Sequence, residues 1–219
     1  MKKWHLLLLA LGIYGIWKQF LVVEQTTLAV RIGQSFNDVA QGSTFPVMTS
    51  SNIPNNSLGS GATWVKAPAV VIQYADPQHG FILPATTFAG ISYMDGKVDT
   101  IATTPMLHKV SFTDAFETLS NLQRQFQAGG WQLDNGSEWY DLSPRGHERL
   151  HQELRKLSNG YVETKELVVP QKYSMIFRIR CAASCDSRIG LDRYLIDIGL
   201  AHDFGFELNK LERERELTP

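Results

Sequence analysis

His147-Glu148-Arg149-Leu150-His151 is the stretch of the chain with the sharpest chemical meaning. On a helix, imidazoles at positions i and i+4 project from one face and can share a Zn²⁺ ion, while the intervening Glu takes a proton from the metal-bound water. His147 and His151 would then be ligands and Glu148 the general base of a metal-assisted hydrolysis. The surrounding sequence gives this little support. A helix starting at Ser143-Pro144 puts His147 in its first turn, where a catalytic ligand lacks rigid backing. No G-x-x-H continuation follows His151, and a third ligand would have to be Glu163, Glu166 or His202, at no recognised spacing.

The expectation is therefore no metal, no cofactor and no catalytic residue. The alternative is a membrane-tethered zinc peptidase, which the motif resembles over five residues and no further. The chain lacks a G-x-S-x-G elbow, a P-loop, a G-x-G-x-x-G turn and an S-x-x-K pair, so covalent hydrolases and nucleotide enzymes are not expected. A second cluster lies at 131–141, where Trp131, Trp139 and Tyr140 alternate with Asp134, Glu138 and Asp141. Aromatics beside acids can anchor a protein partner, which makes Trp131, Trp139 and Tyr140 the partner-binding candidates. The same residues also fit a short hairpin turning at Asn135-Gly136 with its tryptophans in the core.

Positioning these groups requires an α+β domain over 64–206. Alternation of apolar with polar residues predicts strands at 70–74, 81–83, 88–94, 97–103, 161–169, 173–181 and 191–200. Asp95-Gly96 between two of them signals a two-residue hairpin, because both central positions need positive φ. Ser111 caps a helix whose Phe112, Ala115, Phe116, Leu119, Leu122 and Phe126 recur at helical spacing until Gly129-Gly130. A second helix runs over 144–158, with Leu150, Leu154 and Leu157 on its apolar stripe. The expected architecture is an antiparallel sheet with two helices packed on one face, preceded by one N-terminal membrane helix and a flexible linker.

The amino terminus sets the compartment. Lys2-Lys3 precede an apolar run over 4–17 that resumes at 20–23 after Lys18-Gln19. That is enough for one crossing of about 30 Å of hydrocarbon, with the lysines kept cytoplasmic and all that follows exported. Thr27-Leu28-Ala29 is a poor cleavage site, so residues 1–24 are read as an uncleaved signal anchor. Residues 25–63 are rich in Ser, Thr, Asn and Gly, which reads as a flexible linker; 207–219 form a charged tail. Cys181 and Cys185, the only cysteines, are then expected to pair in an oxidising compartment as a local staple contributing roughly 2 kcal/mol.

With 21 basic against 22 acidic side chains, the chain has no global field for nucleic acid. A hydrophobic content of 43% also argues against a disordered chain. The function expected is protein binding without catalysis, in the periplasm of a bacterium and anchored in its inner membrane. The partner is another envelope protein, as for an inhibitor, an immunity protein or an assembly factor. A reporter enzyme that works only after export, fused behind Pro219, should be active; activity confined to a cytosolic reporter would remove the compartment assignment and everything built on it.

Overall fold

Tyr173–Ala183 and Arg193–His202 alternate large apolar residues with polar or small ones, so each has one face to bury. In the computed structural model, which describes residues 26–54, 58–134, 136–156, 162–187, 189–206 and 208, they pair as the antiparallel centre of the fold. In chain order the strands are β1 (Thr26–Val30), β2 (Ser60–Val65), β3 (Val70–Tyr74), β4 (Phe81–Ile82), β5 (Ala89–Met94), β6 (Lys97–Thr103), β7 (Gln132–Leu133), β8 (Val162–Val169), β9 (Tyr173–Ala183) and β10 (Arg193–His202). The helices are α1 (Phe36–Gly42), α2 (Phe112–Ala128) and α3 (Pro144–Lys156). The described chain is thus α+β, with mostly antiparallel sheets and few helices. The expected membrane helix lies outside the described residues, and among those described no helix is long and apolar enough to cross a membrane.

The larger sheet has seven strands in the order β2-β5-β6-β10-β9-β8-β7. Asp95 and Gly96, both at positive φ, turn β5 into β6 as their sequence predicts. The smaller sheet is β1-β3-β4, with β1 parallel to β3 from Thr26↔Val70 to Val30↔Tyr74. One aromatic chain joins the two sheets through α2: Tyr74 stacks on Phe81, Phe81 meets Phe126 edge-on at 4.9 Å, and Phe126 meets Phe177 of β9 at 5.1 Å. Such rings contribute both buried area and directional contacts. Ser111 caps α2 by accepting from the Asp114 N–H at 3.2 Å. Ser143 caps α3 by accepting from the Gly146 N–H at 3.1 Å. Gly146 has to be glycine there, since a Cβ would stand 2.0 Å from the Asp141 carbonyl oxygen.

The flexible linker expected over 25–63 is corrected. Its described residues contain β1, α1, a 3-10 turn (Val47–Ser50) and most of β2. Leu28, Val30, Ile32, Val39, Phe45 and Val47 belong to the same buried cluster as the rest of the core. The polar residues that suggested a linker are used to bond strand edges. Thr44 Oγ1 accepts from the Thr27 N–H at 2.8 Å, Ser43 Oγ accepts from the Ala29 N–H at 3.0 Å, and Asn52 Oδ1 accepts from the Ala62 N–H at 2.8 Å. Side chains with short polar arms satisfy an open edge in this way without a further strand.

A core residue in β1 is a test of this correction. Leu28→Ala, at a fully buried position, should lower the unfolding free energy in a denaturant titration by about 2–5 kcal/mol, whereas a linker residue would change it by almost nothing.

Candidate functional site: a histidine–aspartate pair and the open face of the sheet

The helix that carries the His-Glu-x-x-His pattern presents its two imidazoles to one aromatic ring. His151 stacks on Phe112 with centroids 4.3 Å apart and planes 8° from parallel, and His147 meets the same ring at 4.8 Å and Phe116 at 4.8 Å. His151 Nε2 lies 2.9 Å from Asp192 Oδ2, and the Tyr194 hydroxyl donates to that same oxygen at 2.7 Å. Asp192 is buried beside β10. Burial pushes its carboxyl up, but the hydrogen bonds from His151 and Tyr194 more than offset this and hold it below the usual carboxylate range. Burial, then the bond to Asp192, pushes the Tyr194 phenol well above its ordinary value.

An ionised Asp192 makes Nε2 of His151 a donor, which leaves only Nδ1 as an electron-pair donor on that ring. Nε2 is thereby committed to a carboxylate. Glu148 is exposed and accepts from Gln152 Nε2 at 2.6 Å. Glu163, offered by sequence as a third ligand, pairs with Lys165 at 3.1 Å, and Glu166 lines a different cavity. Among the described residues no three His, Cys, Asp or Glu side chains stand close enough to hold a metal ion. The structure thus assembles a His–Asp–Tyr cluster from positions 151, 192 and 194. Asp192 lies 41 residues from His151, and nothing in the local spacing pointed to it.

Cys181 and Cys185 are bonded. Their disulfide closes the β9 end of the loop into β10, and Arg155 bonding to the Ser187 carbonyl and the His151–Asp192 pair tie that loop to α3. Trp131 and Tyr140, expected to face a partner, are instead core residues, and this corrects their assignment. Trp131 stacks on Tyr173 and donates from Nε1 to the His79 carbonyl at 3.0 Å. Tyr140 meets Phe177 edge-on, and its hydroxyl donates to the Glu163 carbonyl at 2.8 Å. Trp139 packs against the core from a half-buried position. In place of the hairpin considered for 131–141, β7 pairs with β8.

The face of the seven-stranded sheet opposite the aromatic core is a different surface. A cross-strand row follows the register Trp64↔Gly90↔Ala102↔Gly199↔Ile176↔Glu166. Its centre has almost no side chains, and a Cβ built on Gly199 would meet no atom within 4 Å. The Trp64 ring covers Gly90 at one end, where a Cβ would come within 3.1 Å of it. The other end is a shallow cavity of about 440 Å³ lined by Ala102, Ile176, Gly199, Ala201 and Phe204, with Glu166 and Asp134 at the rim. Ile176 and Phe204 remain 46% and 48% exposed. Beside this apolar half lies a polar one: Asp197 accepts from Thr104 Oγ1 at 2.7 Å, Arg180 Nε at 2.9 Å and Arg178 Nε at 3.3 Å. Sequence reading missed the trough. The signal was available in the alternation of β9 and β10, whose water-facing positions include Ile176, Gly199 and Ala201.

The chain matches no protein-family model, no curated protein sequence and no solved structure.

The Asp192 cluster gives a pH prediction with a definite sign. A carboxyl whose pKa is lowered by folding stabilises the fold above the ordinary carboxylate range, and the contribution is lost as pH falls through the folded value. Asp192→Asn should therefore be less stable than the parent at neutral pH, and the gap should narrow as pH falls below the ordinary carboxylate range. Urea titrations across that range measure it; a gap independent of pH would show that the carboxylate charge contributes nothing.

Proposed function

We propose that this chain is a membrane-anchored, non-catalytic protein-binding domain that works in the periplasm, held in the inner membrane by its single apolar segment. The observation that carries the reading is the apolar trough on the outer face of the sheet. In this view α2 and α3 cover the inner face, and the outer face is kept for a partner. A flat surface with a glycine and two alanines on its floor lets another backbone or an apolar side chain approach closely. Exposed Ile176 and Phe204 supply the apolar contact that typically dominates recognition, while Arg178, Arg180 and Asp197 beside them supply a polar rim. The partner is another envelope protein, and an inhibitor, an immunity protein or an assembly factor would each use a small tethered domain in this way.

The zinc-peptidase alternative finds no support in the His151–Asp192 pair, which uses the imidazole for structure. Purified full-length protein should hold no stoichiometric zinc, and His151→Ala should leave its metal content unchanged; zinc present in the parent and lost in the variant would establish the peptidase instead.

The binding reading is tested in intact cells. A photo-crosslinking amino acid at Ile176 should give one discrete adduct with an envelope protein, and the same probe at exposed Gln127 should not. Changing neighbouring Ala201 to Glu in the Ile176 probe strain should reduce the adduct several-fold while the protein level holds. Equal labelling from both sites, or none from Ile176, would overturn the assignment of this face.

A further inference from the structure

Thr26, where the described residues begin, lies beside segments of the chain that carry almost no charge. Thr26 opens β1, its Oγ1 donates to the Ala69 carbonyl at 3.1 Å, and its register partner is Val70. Val70 in turn bridges to Thr86, whose Oγ1 accepts from the Phe88 N–H at 2.9 Å. On the other side Thr27 bonds to Thr44 and Phe45, at the head of the 3-10 turn that holds Met48. Phe45 lines one shallow cavity together with Trp64, Lys66 and Ala67. Three large apolar side chains thus stand exposed close to the entry point: Met48 at 65%, Phe88 at 54% and Trp64 at 52%.

The three segments that build this corner, 43–54, 58–71 and 83–94, contain one charged residue between them, Lys66. The chain as a whole is 20% charged. On α3, by contrast, Arg145, Glu148, Arg149, Glu153, Arg155 and Lys156 are all charged. A surface destined for water has no reason to shed its charges, because each is solvated at little cost. A surface pressed against lipid has to shed them, because desolvating a charge is expensive. Tryptophan and a lysine are the residue types that settle at such a boundary, the first for its amphipathic ring and the second for anionic headgroups.

Chain length restricts the geometry further. Only Glu24 and Gln25 separate Val23, the last residue of the apolar run, from Thr26. Three Cα steps reach about 11 Å at most, so a bilayer that holds the run holds the Thr26 corner within reach of its headgroups. We infer that the corner formed by Met48, Trp64, Lys66 and Phe88 is a lipid-contact surface, lying on the headgroups of the membrane in which residues 4–23 are anchored. The inference rests on the anchor reading and adds to it an orientation: the domain sits directly on the bilayer, and the far end of β3, with the Asp76–His79 loop and the end of α2, points away.

The test uses the full chain in vesicles of phosphatidylethanolamine and phosphatidylglycerol, with the native disulfide intact and single new thiols at Met48→Cys, Phe88→Cys and Gln127→Cys carrying an environment-sensitive fluorophore. Gln127 lies near the end of α2, which His79 joins to the far side of β3 through its bond to the Gly129 carbonyl. Headgroup-attached nitroxide lipids should quench the labels at 48 and 88 several-fold more than the label at 127, and aqueous iodide should show the reverse order. Protein that stays with the vesicles through an alkaline wash, yet shows 48 and 88 as open to iodide as 127, overturns the lipid-contact surface and leaves the anchor standing. Protein released by the wash overturns the anchor, and the surface with it.

Discussion

The inward faces of β9 and β10 impose the main constraint on this molecule. Tyr173, Met175, Phe177, Ile179, Tyr194, Ile196, Ile198 and Leu200 form one apolar plane across two strands, and such a plane has to be covered. α2 brings Phe126 onto Phe177 and Phe112 onto Tyr194, α3 brings His151 onto Tyr194, and the small sheet brings Tyr74 onto Tyr173. Each of these three elements is therefore placed by a ring that meets this plane. The histidines of the His-Glu-x-x-His pattern are part of the same arrangement, since both sit on Phe112. There they pack at the edge of the core, where Asp192 gives His151 a hydrogen bond.

Because the helices and the small sheet satisfy the inner plane, the outer plane carries a different kind of sequence. Gly90, Ala102, Gly199 and Ala201 form a floor with little to shield, where the backbone ladders hold the strands together. Glycine within a strand costs conformational entropy and gives no cross-strand contact. Trp64 repairs that loss at Gly90 by lying over it. Among the described residues nothing comparable lies over Gly199, so its half-buried backbone leaves room for the close approach that the proposed partner requires.

The parts of the fold legible in the sequence are those fixed by short-range pattern. Period-two alternation gave β9 and β10, helical spacing gave α2, Ser111 and Ser143 marked the helix starts, and Asp95-Gly96 marked the hairpin, because each signal depends on residues within a few positions of one another. The region 25–63 was illegible for a matching reason. β1 pairs with a strand that begins at Val70, and its edge is satisfied by Thr44 and Ser43 side chains, so its order comes from contacts that local composition does not record. Ser, Thr and Asn in a chain with little apolar periodicity read as solvated, yet here they are the bonding groups of an edge. The candidate site failed in the same way: Trp131 and Tyr140 look like an exposed aromatic patch in sequence, and only the position of Phe177 and Tyr173 turns them inward.

Removing the linker changes the mechanics of the proposed tether as well. A coil of some thirty residues would leave a domain free to sample a wide volume, with an effective concentration set by a chain of that length. With the apolar run in the bilayer as proposed, a strand that begins three residues after it would keep the domain close to the membrane. Trp64 belongs both to the uncharged corner and to the cross-strand row that leads to the trough, so on the proposed orientation that row runs outward from the bilayer surface. A partner reaching Ile176 and Phe204 would then approach along the membrane, and a membrane-bound partner would meet the trough at a fixed height without the entropic cost of ordering a stalk.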